Sequence, residues 1–172
     1  MDGRKASDAA MKSRTTAERT SDRELVATRT FNAPARIVFD AWTKPELFMQ
    51  WWIPKSFPIT VVSCEMDVRT GGGYRLVMRH GDSEPMAFFG RYLEVTPPSR
   101  IVWTNEEGEA GAVTTVTFED KDGRTRVVMN DLYPSKEALD EAIASGSTGA
   151  AEETFEQLED LLATRPAGAN RS

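Results

Sequence analysis

From residue 59 to residue 133 apolar and polar side chains alternate with period two, the mark of strands that turn one face to a core. Turn residues cut the stretch at Gly71-Gly72-Gly73, His80-Gly81-Asp82, Pro97-Pro98, Glu107-Gly108 and Lys121-Asp122-Gly123, which predicts six successive strands in an antiparallel meander. Their inward registers read Val62/Cys64/Met66, Tyr74/Leu76/Met78, Phe88 to Val95, Ile101/Trp103, Val116/Phe118 and Val127/Met129. Another strand precedes them, where Leu25, Ala27 and Arg29 alternate with Val26, Thr28 and Thr30 ahead of Phe31. Elsewhere the spacing is helical. Pro34 opens a helix with Val38, Ala41 and Trp42 on one face, and Pro45 ends it and starts a second helix through Trp52, which Pro54 and Pro58 stop.

After Pro134 a short helix over Lys136 to Ala144 breaks at Gly146-Ser147-Thr148-Gly149, with Ser147 and Thr148 read as caps, and a longer helix runs to about Arg165. Ala151, Phe155, Leu158 and Leu162 form its apolar stripe with Leu161 beside them. Glu152 and Glu153 suit its positive end, and Glu156, Glu159 and Asp160 are expected to face water. A run of strands covered by helices on one face predicts an α+β domain, with a strongly curved antiparallel sheet of six to seven strands around a long C-terminal helix. Two short helices follow strand 1. Residues 1–22 carry almost no large apolar side chain to offset the entropy of ordering, so they are expected to form a disordered tail. Residues 166–172 are expected to do the same, which leaves a single domain over 23–165.

Composition narrows the classes. A net charge of -6 with no concentrated basic segment argues against nucleic acid and against an anionic membrane surface. Cys64 is the only cysteine and His80 the only histidine, so neither an internal disulfide nor a zinc cluster can form. No run approaches the length of a membrane span and no signal peptide is visible, so a cytoplasmic protein is expected, with no cofactor and no metal. The Gly71-Gly72-Gly73 run opens a strand, whereas a phosphate cradle follows a strand, carries Lys-Ser/Thr and opens a helix; it reads as a turn.

Several short motifs recur in order: Arg29-Thr30-Phe31, Ala33-Pro34, Val38-Phe39, Ala41-Trp42-Thr43, Pro45, Trp51-Trp52-x-Pro54, Asp67-x-Arg69-x-Gly71-Gly72, Tyr92-Leu93-Glu94, Pro97-Pro98 and Ile101-Val102-Trp103-Thr104. Over residues 24–165 they resemble the domain homologous to the C-terminal part of the activator of the heat-shock-protein ATPase, within the START-like SRPBCC superfamily. The resemblance implies a helix-grip fold. It also implies that the hollow between sheet and long helix holds an apolar or amphipathic small molecule, and in some distant relatives catalyses a reaction. The activator's additional N-terminal domain, its main chaperone-binding part, has no counterpart in this sequence, which makes a heat-shock chaperone the weaker expectation. Two departures stand out: Gly149-Ala150 replaces the family's Gly-Trp pair, and Asp131 stands where many relatives carry a His.

The candidate ligand-binding residues are Trp51, Trp52, Tyr74, Met78, Phe88, Trp103, Met129, Asp131, Phe155 and Leu158. Asp131, in register with Val127 and Met129, is either a pocket acid with a raised pKa or a strand-end carboxylate bonded to backbone or Arg. Glu94 offers the same choice. Trp51 and Trp52 are either the lip of an entrance or packing for the short helix, and the other aromatic residues either enclose a cavity or fill it. Cys64 has no histidine on a matching face and reads as a structural thiol, and His80 as an exposed turn residue. Three functions follow: a small-molecule-binding module, monomeric or homodimeric; a cyclase- or hydrolase-type enzyme using Asp131 or Glu94; and a co-chaperone or protein-interaction domain. The absence of a nucleophile–base pair favours a protein that is not an enzyme.

Overall fold

A computed structural model describes residues 15–106, 111–144 and 150–164. The order of elements is β1 (Thr16–Arg19), β2 (Glu24–Phe31), α1 (Ala35–Thr43), α2 (Pro45–Trp51), β3 (Ile59–Met66), β4 (Gly73–His80), β5 (Met86–Thr96), β6 (Arg100–Thr104), β7 (Val113–Lys121), β8 (Arg124–Leu132), α3 (Lys136–Ala144) and α4 (Ala150–Ala163). The strands form one antiparallel sheet in the order β1-β2-β8-β7-β6-β5-β4-β3, so the expected meander from β3 to β8 is present and β2 closes onto β8. The fold is the expected α+β helix grip.

The sheet has eight strands, not six or seven, because β1 forms within the segment expected to be a tail. Thr16 to Arg19 pair with Thr28 to Leu25, and Thr15 just before them bonds Arg29. Backbone pairing stabilises this short polar strand, and its side chains give the period-two signal nothing to detect. The rest of that tail, the 166–172 tail and the caps Ser147 and Thr148 lie outside the described residues.

Local chemistry explains the turns. Asp122 and Gly123 both take positive φ, 58° and 84°, which is the geometry of a two-residue hairpin between β7 and β8 with Lys121 paired to Arg124. At the glycine run, the Gly71 N–H donates to the Tyr92 carbonyl and the Tyr92 N–H donates to the Gly72 carbonyl. A Cβ at Gly72 would lie 2.1 Å from the Asp67 carbonyl oxygen. The run therefore clamps the β3–β4 turn onto β5.

Two β-bulges change the predicted registers. The one between Val61 and Ser63 turns Val62 outward and lets Val61 pack on the core with Cys64 and Met66. The one between Tyr92 and Glu94 places both Leu93 and Glu94 outside between the inward Tyr92 and Val95. An extra residue shifts the alternation by one, and pattern alone does not locate it. The sheet is bent but not closed: Ala17 and Leu25 from one end face the same space as Ile59 and Met78 from the other, while β1 and β3 remain edges.

The grip of α4 is dense along Phe155, Leu158 and Leu162. The Phe155 ring meets Phe31 at 5.7 Å, Trp42 at 5.9 Å and Trp51 at 6.2 Å, and Trp42 also meets Trp51 and Phe118 edge-on. Each such side chain contributes roughly 1.5–3 kcal/mol by leaving water. Glu159 does not simply face water as expected: it pairs with Arg29, whose side chain is 4% exposed, at 2.6 Å. A buried guanidinium requires a partner, and the nearest turn of α4 supplies it.

A two-lobed cavity as candidate functional site

The helices cover the concave sheet unequally, and two adjoining hollows remain. The first, about 260 Å³, lies among β3, β4, β5 and β6 and is roofed by Trp42, Phe48 and Trp52. Cys64, Met66, Tyr74, Leu76, Tyr92, Trp103 and Asn105 line its floor, with Glu65 also in its wall. The second, about 360 Å³, is bounded by Ala17, Leu25, Ala27, Met129 and Asp131 of the sheet and Tyr133 just after β8, by Ile53, Pro54 and Phe57 of the loop after α2, and by Ala151 and Thr154 of α4. Trp52, Met78 and Phe88 line both hollows, so these three side chains form the waist where the two lobes adjoin.

Polar contacts from α4 hold the loop that walls the second lobe. The Gln157 amide donates to the carbonyls of Trp51 and Ile53 at 2.9 and 2.8 Å and accepts from the Lys55 N–H at 2.8 Å. One turn earlier, the Glu153 carboxylate accepts from the Ser56 N–H and hydroxyl, which holds its carboxyl below the usual range. The loop has no hydrophobic period, so these contacts are what place Ile53, Pro54 and Phe57 at the cavity.

Of the sequence candidates, Tyr74 and Trp103 line the first lobe, Met129 and Asp131 the second, and Trp52, Met78 and Phe88 both. Trp51, Phe155 and Leu158 are fully buried and line neither lobe. The Trp51 indole N–H donates to the Ala41 carbonyl at 2.9 Å, which ties α2 to α1. Glu94 is outside the cavity, bound to Arg100 at 3.1 Å and accepting from the Thr96 hydroxyl, because the second bulge turns it there. His80 is exposed at the end of β4.

The period-two reading missed Tyr133, although it continues the Met129/Asp131 register by one more step. Asn105 extends the Trp103 register in the same way. Trp42 was legible only as a core residue of α1.

A short polar chain crosses beneath the lobes. The Thr114 hydroxyl donates to Asp131 Oδ1, the Asn105 amide donates to Thr114 Oγ1 at 3.1 Å and to the Ala112 carbonyl at 2.8 Å, and the Tyr74 hydroxyl donates to the Thr104 carbonyl at 2.8 Å. Burial pushes the Asp131 carboxyl above its usual range, and the Thr114 hydrogen bond offsets part of that rise. Burial and then the neighbouring Asp131 raise the Tyr133 phenol to about 12. Burial raises the Tyr92 phenol as well, and it raises the Cys64 thiol, which removes it from nucleophilic chemistry near neutral pH. Among the described residues no group of His, Cys, Asp or Glu could hold a metal ion. No described helix is long and apolar enough to cross a membrane.

One polar atom lacks a partner. Trp42 is 2% exposed and lines the first lobe, and its indole nitrogen is the one buried side-chain N or O among the described residues without a hydrogen bond. A donor left so costs about 1–3 kcal/mol.

The family model described as "Activator of Hsp90 ATPase homolog 1-like protein" matches residues 32–163. Comparison with curated proteins finds no match. Among solved structures, a Staphylococcus epidermidis protein is 30% identical with a TM-score of 0.72, over 87% of this chain and 94% of that one. A Rhodobacter sphaeroides protein is 23% identical with a TM-score of 0.79, over 87% and 98%. An AHSA1-like protein from Aeromonas hydrophila is 18% identical with a TM-score of 0.61, over 86% and 96%. The last two are similar in fold.

Proposed function

The chain belongs to the Activator of Hsp90 ATPase homolog 1-like family, and on that footing we propose that it binds an apolar or amphipathic small molecule in the two-lobed cavity. The observation that carries this reading is the waist of Trp52, Met78 and Phe88, which leaves space on both sides where a packed core would leave none. Each lobe exceeds the roughly 150 Å³ of an apolar cavity that accepts benzene. Binding draws its energy from buried ligand surface, at roughly 25 cal/mol per Å² before the costs of ordering. The few polar groups on the walls orient the guest.

Native mass spectrometry of the gently purified full chain, followed by titration with the uncharged dye Nile red, tests the proposal. A bound mass released on denaturation, or saturable dye binding with one site per chain, is the expected result. A bare chain that also fails to take up the dye overturns it.

A second reading has its own observation. The buried Asp131 carboxyl on the cavity wall could shift a proton in a cyclase- or hydrolase-type reaction. Its distinguishing result is loss of turnover in Asp131→Asn with ligand binding retained.

A further inference from the structure

The wall of the second lobe holds an acid and nothing basic to meet it. Asp131 is the carboxylate that lines it, and among the described residues no Lys, Arg or His does. Arg29, the buried cation of β2, is already committed to Glu159 and Thr15. One carboxylate oxygen of Asp131, Oδ1, accepts from the Thr114 hydroxyl on the paired strand β7. Among the described residues no hydrogen bond reaches the other, Oδ2. The Trp42 indole nitrogen is the one sealed side-chain polar atom left unpaired, so Oδ2 keeps accessible surface on a residue that lines the lobe.

A carboxylate placed so lacks compensation. Burial pushes it above its usual range, and a positive group beside Oδ2 restores what burial takes from the charged form. The rest of the wall suits such a group: Trp52, Phe57, Phe88 and Tyr133 bring aromatic rings to the same lobe, and ring faces attract cations. The net charge of -6 acts in the same direction at longer range, drawing cations toward the protein and repelling anions.

We propose that the guest is an amphipathic organic cation, an ammonium group on an apolar body, and that Asp131 is its counter-charge in the second lobe. This inference rests on the binding role proposed above and fixes the charge of the ligand, which that role leaves open. The ammonium group lies against Asp131 and Tyr133, and the apolar body extends along the Trp52–Met78–Phe88 waist. Anionic guests, fatty acids among them, would meet an unpaired carboxylate with no counter-charge of their own, which is strongly unfavourable away from water.

Three probes test it on the full chain by Nile red displacement at pH 7.5, in about 150 mM salt to screen attraction to the outer surface. They are benzyltrimethylammonium, whose charge no pH removes, its uncharged isostere neopentylbenzene, and the anion phenylacetate. The unmodified protein should bind the cation at least about tenfold more tightly than phenylacetate. Asp131→Asn keeps the shape of the side chain and removes its charge, and it should weaken the cation about tenfold relative to neopentylbenzene. A cation that fails to displace the dye, phenylacetate binding as tightly as the cation, or equal weakening of cation and hydrocarbon in the variant overturns the inference while leaving the binding role intact. If the chain takes up neither the dye nor any probe, the binding role falls and this inference with it. Should Asp131→Asn not fold, nuclear Overhauser contacts in the unmodified protein decide: contacts from the ammonium methyl protons to the Met129 methyl and the Tyr133 ring are expected, and their absence with the cation bound overturns it.

Discussion

The concave face of the sheet meets two kinds of neighbour, and the contrast is one of packing. Around Phe155, rings from β2, α1, α2 and β7 close on α4, and Phe31, Trp51, Phe155 and Leu158 are wholly removed from water. Around Phe88 the strands also turn apolar side chains inward, but Cys64, Met66, Tyr74, Met78 and Phe88 are only partly buried and border open space. Both regions obey the same alternation. What differs is cover: the Phe155 to Leu162 stripe of α4 seals one region, and over the other only Trp42 near the end of α1, α2, its following loop and the first turn of α4 reach across. Stability is concentrated in the first region, and the proposed binding belongs to the second.

The sharpest way to break this comparison is a pair of truncations. Phe155→Ala should cost about 3–5 kcal/mol in chemical denaturation, whereas Phe88→Ala, which removes a ring that already borders a void, should cost under half as much. Equal losses would mean that the two regions are packed alike. Next in size, Glu159→Ala strands the buried Arg29 guanidinium; breaking such a pair costs roughly 3–5 kcal/mol when both ends are buried. The half-exposed Glu159 should place the loss at or below the lower end of that range, and Glu159→Gln should recover part of it.

Filling the void should act the opposite way. Met78→Trp at the waist is expected to leave stability within about 1 kcal/mol, since the added volume has room, and to weaken Nile red binding at least tenfold. A large loss of stability would show that the waist is already close-packed. The smallest effect concerns Asp131. Because burial raises its folded-state pKa, the native protein holds this proton more tightly than the unfolded chain does. Its contribution to stability is therefore present below roughly 3.9, aspartate's ordinary value, and is lost as pH rises through the folded pKa. Asp131→Asn should flatten that decline and raise the melting temperature at pH 7; a profile that falls as steeply as before would remove Asp131 as its cause.

The same contrast explains what the sequence could disclose. The meander, the Lys136–Ala144 helix and the Phe155–Leu158–Leu162 stripe were legible because each repeats a period over several turns or strands. The dry core was easier to read than the cavity because burial selects large apolar side chains, while a void leaves no residue of its own. Val62 was misplaced by a bulge, and a second bulge decides the choice left open at Glu94; bulges shift the alternation without changing composition. β1 escaped because Thr16 to Arg19 join the sheet through backbone pairing and bury no apolar stripe. Trp51, Phe155 and Leu158 carry the same apolar signal as Phe88 and Met78, and only the path of α4 decides which of them face the hollow.

Xenon is an uncharged apolar atom that enters dry cavities and no close-packed core, so a crystal of the full chain under xenon pressure tests the central claim directly. The account predicts xenon density beside Met78 and Phe88, in one lobe or both, and none against Phe155. No xenon at the waist, or xenon lodged along Phe155 and Leu158 instead, would contradict it.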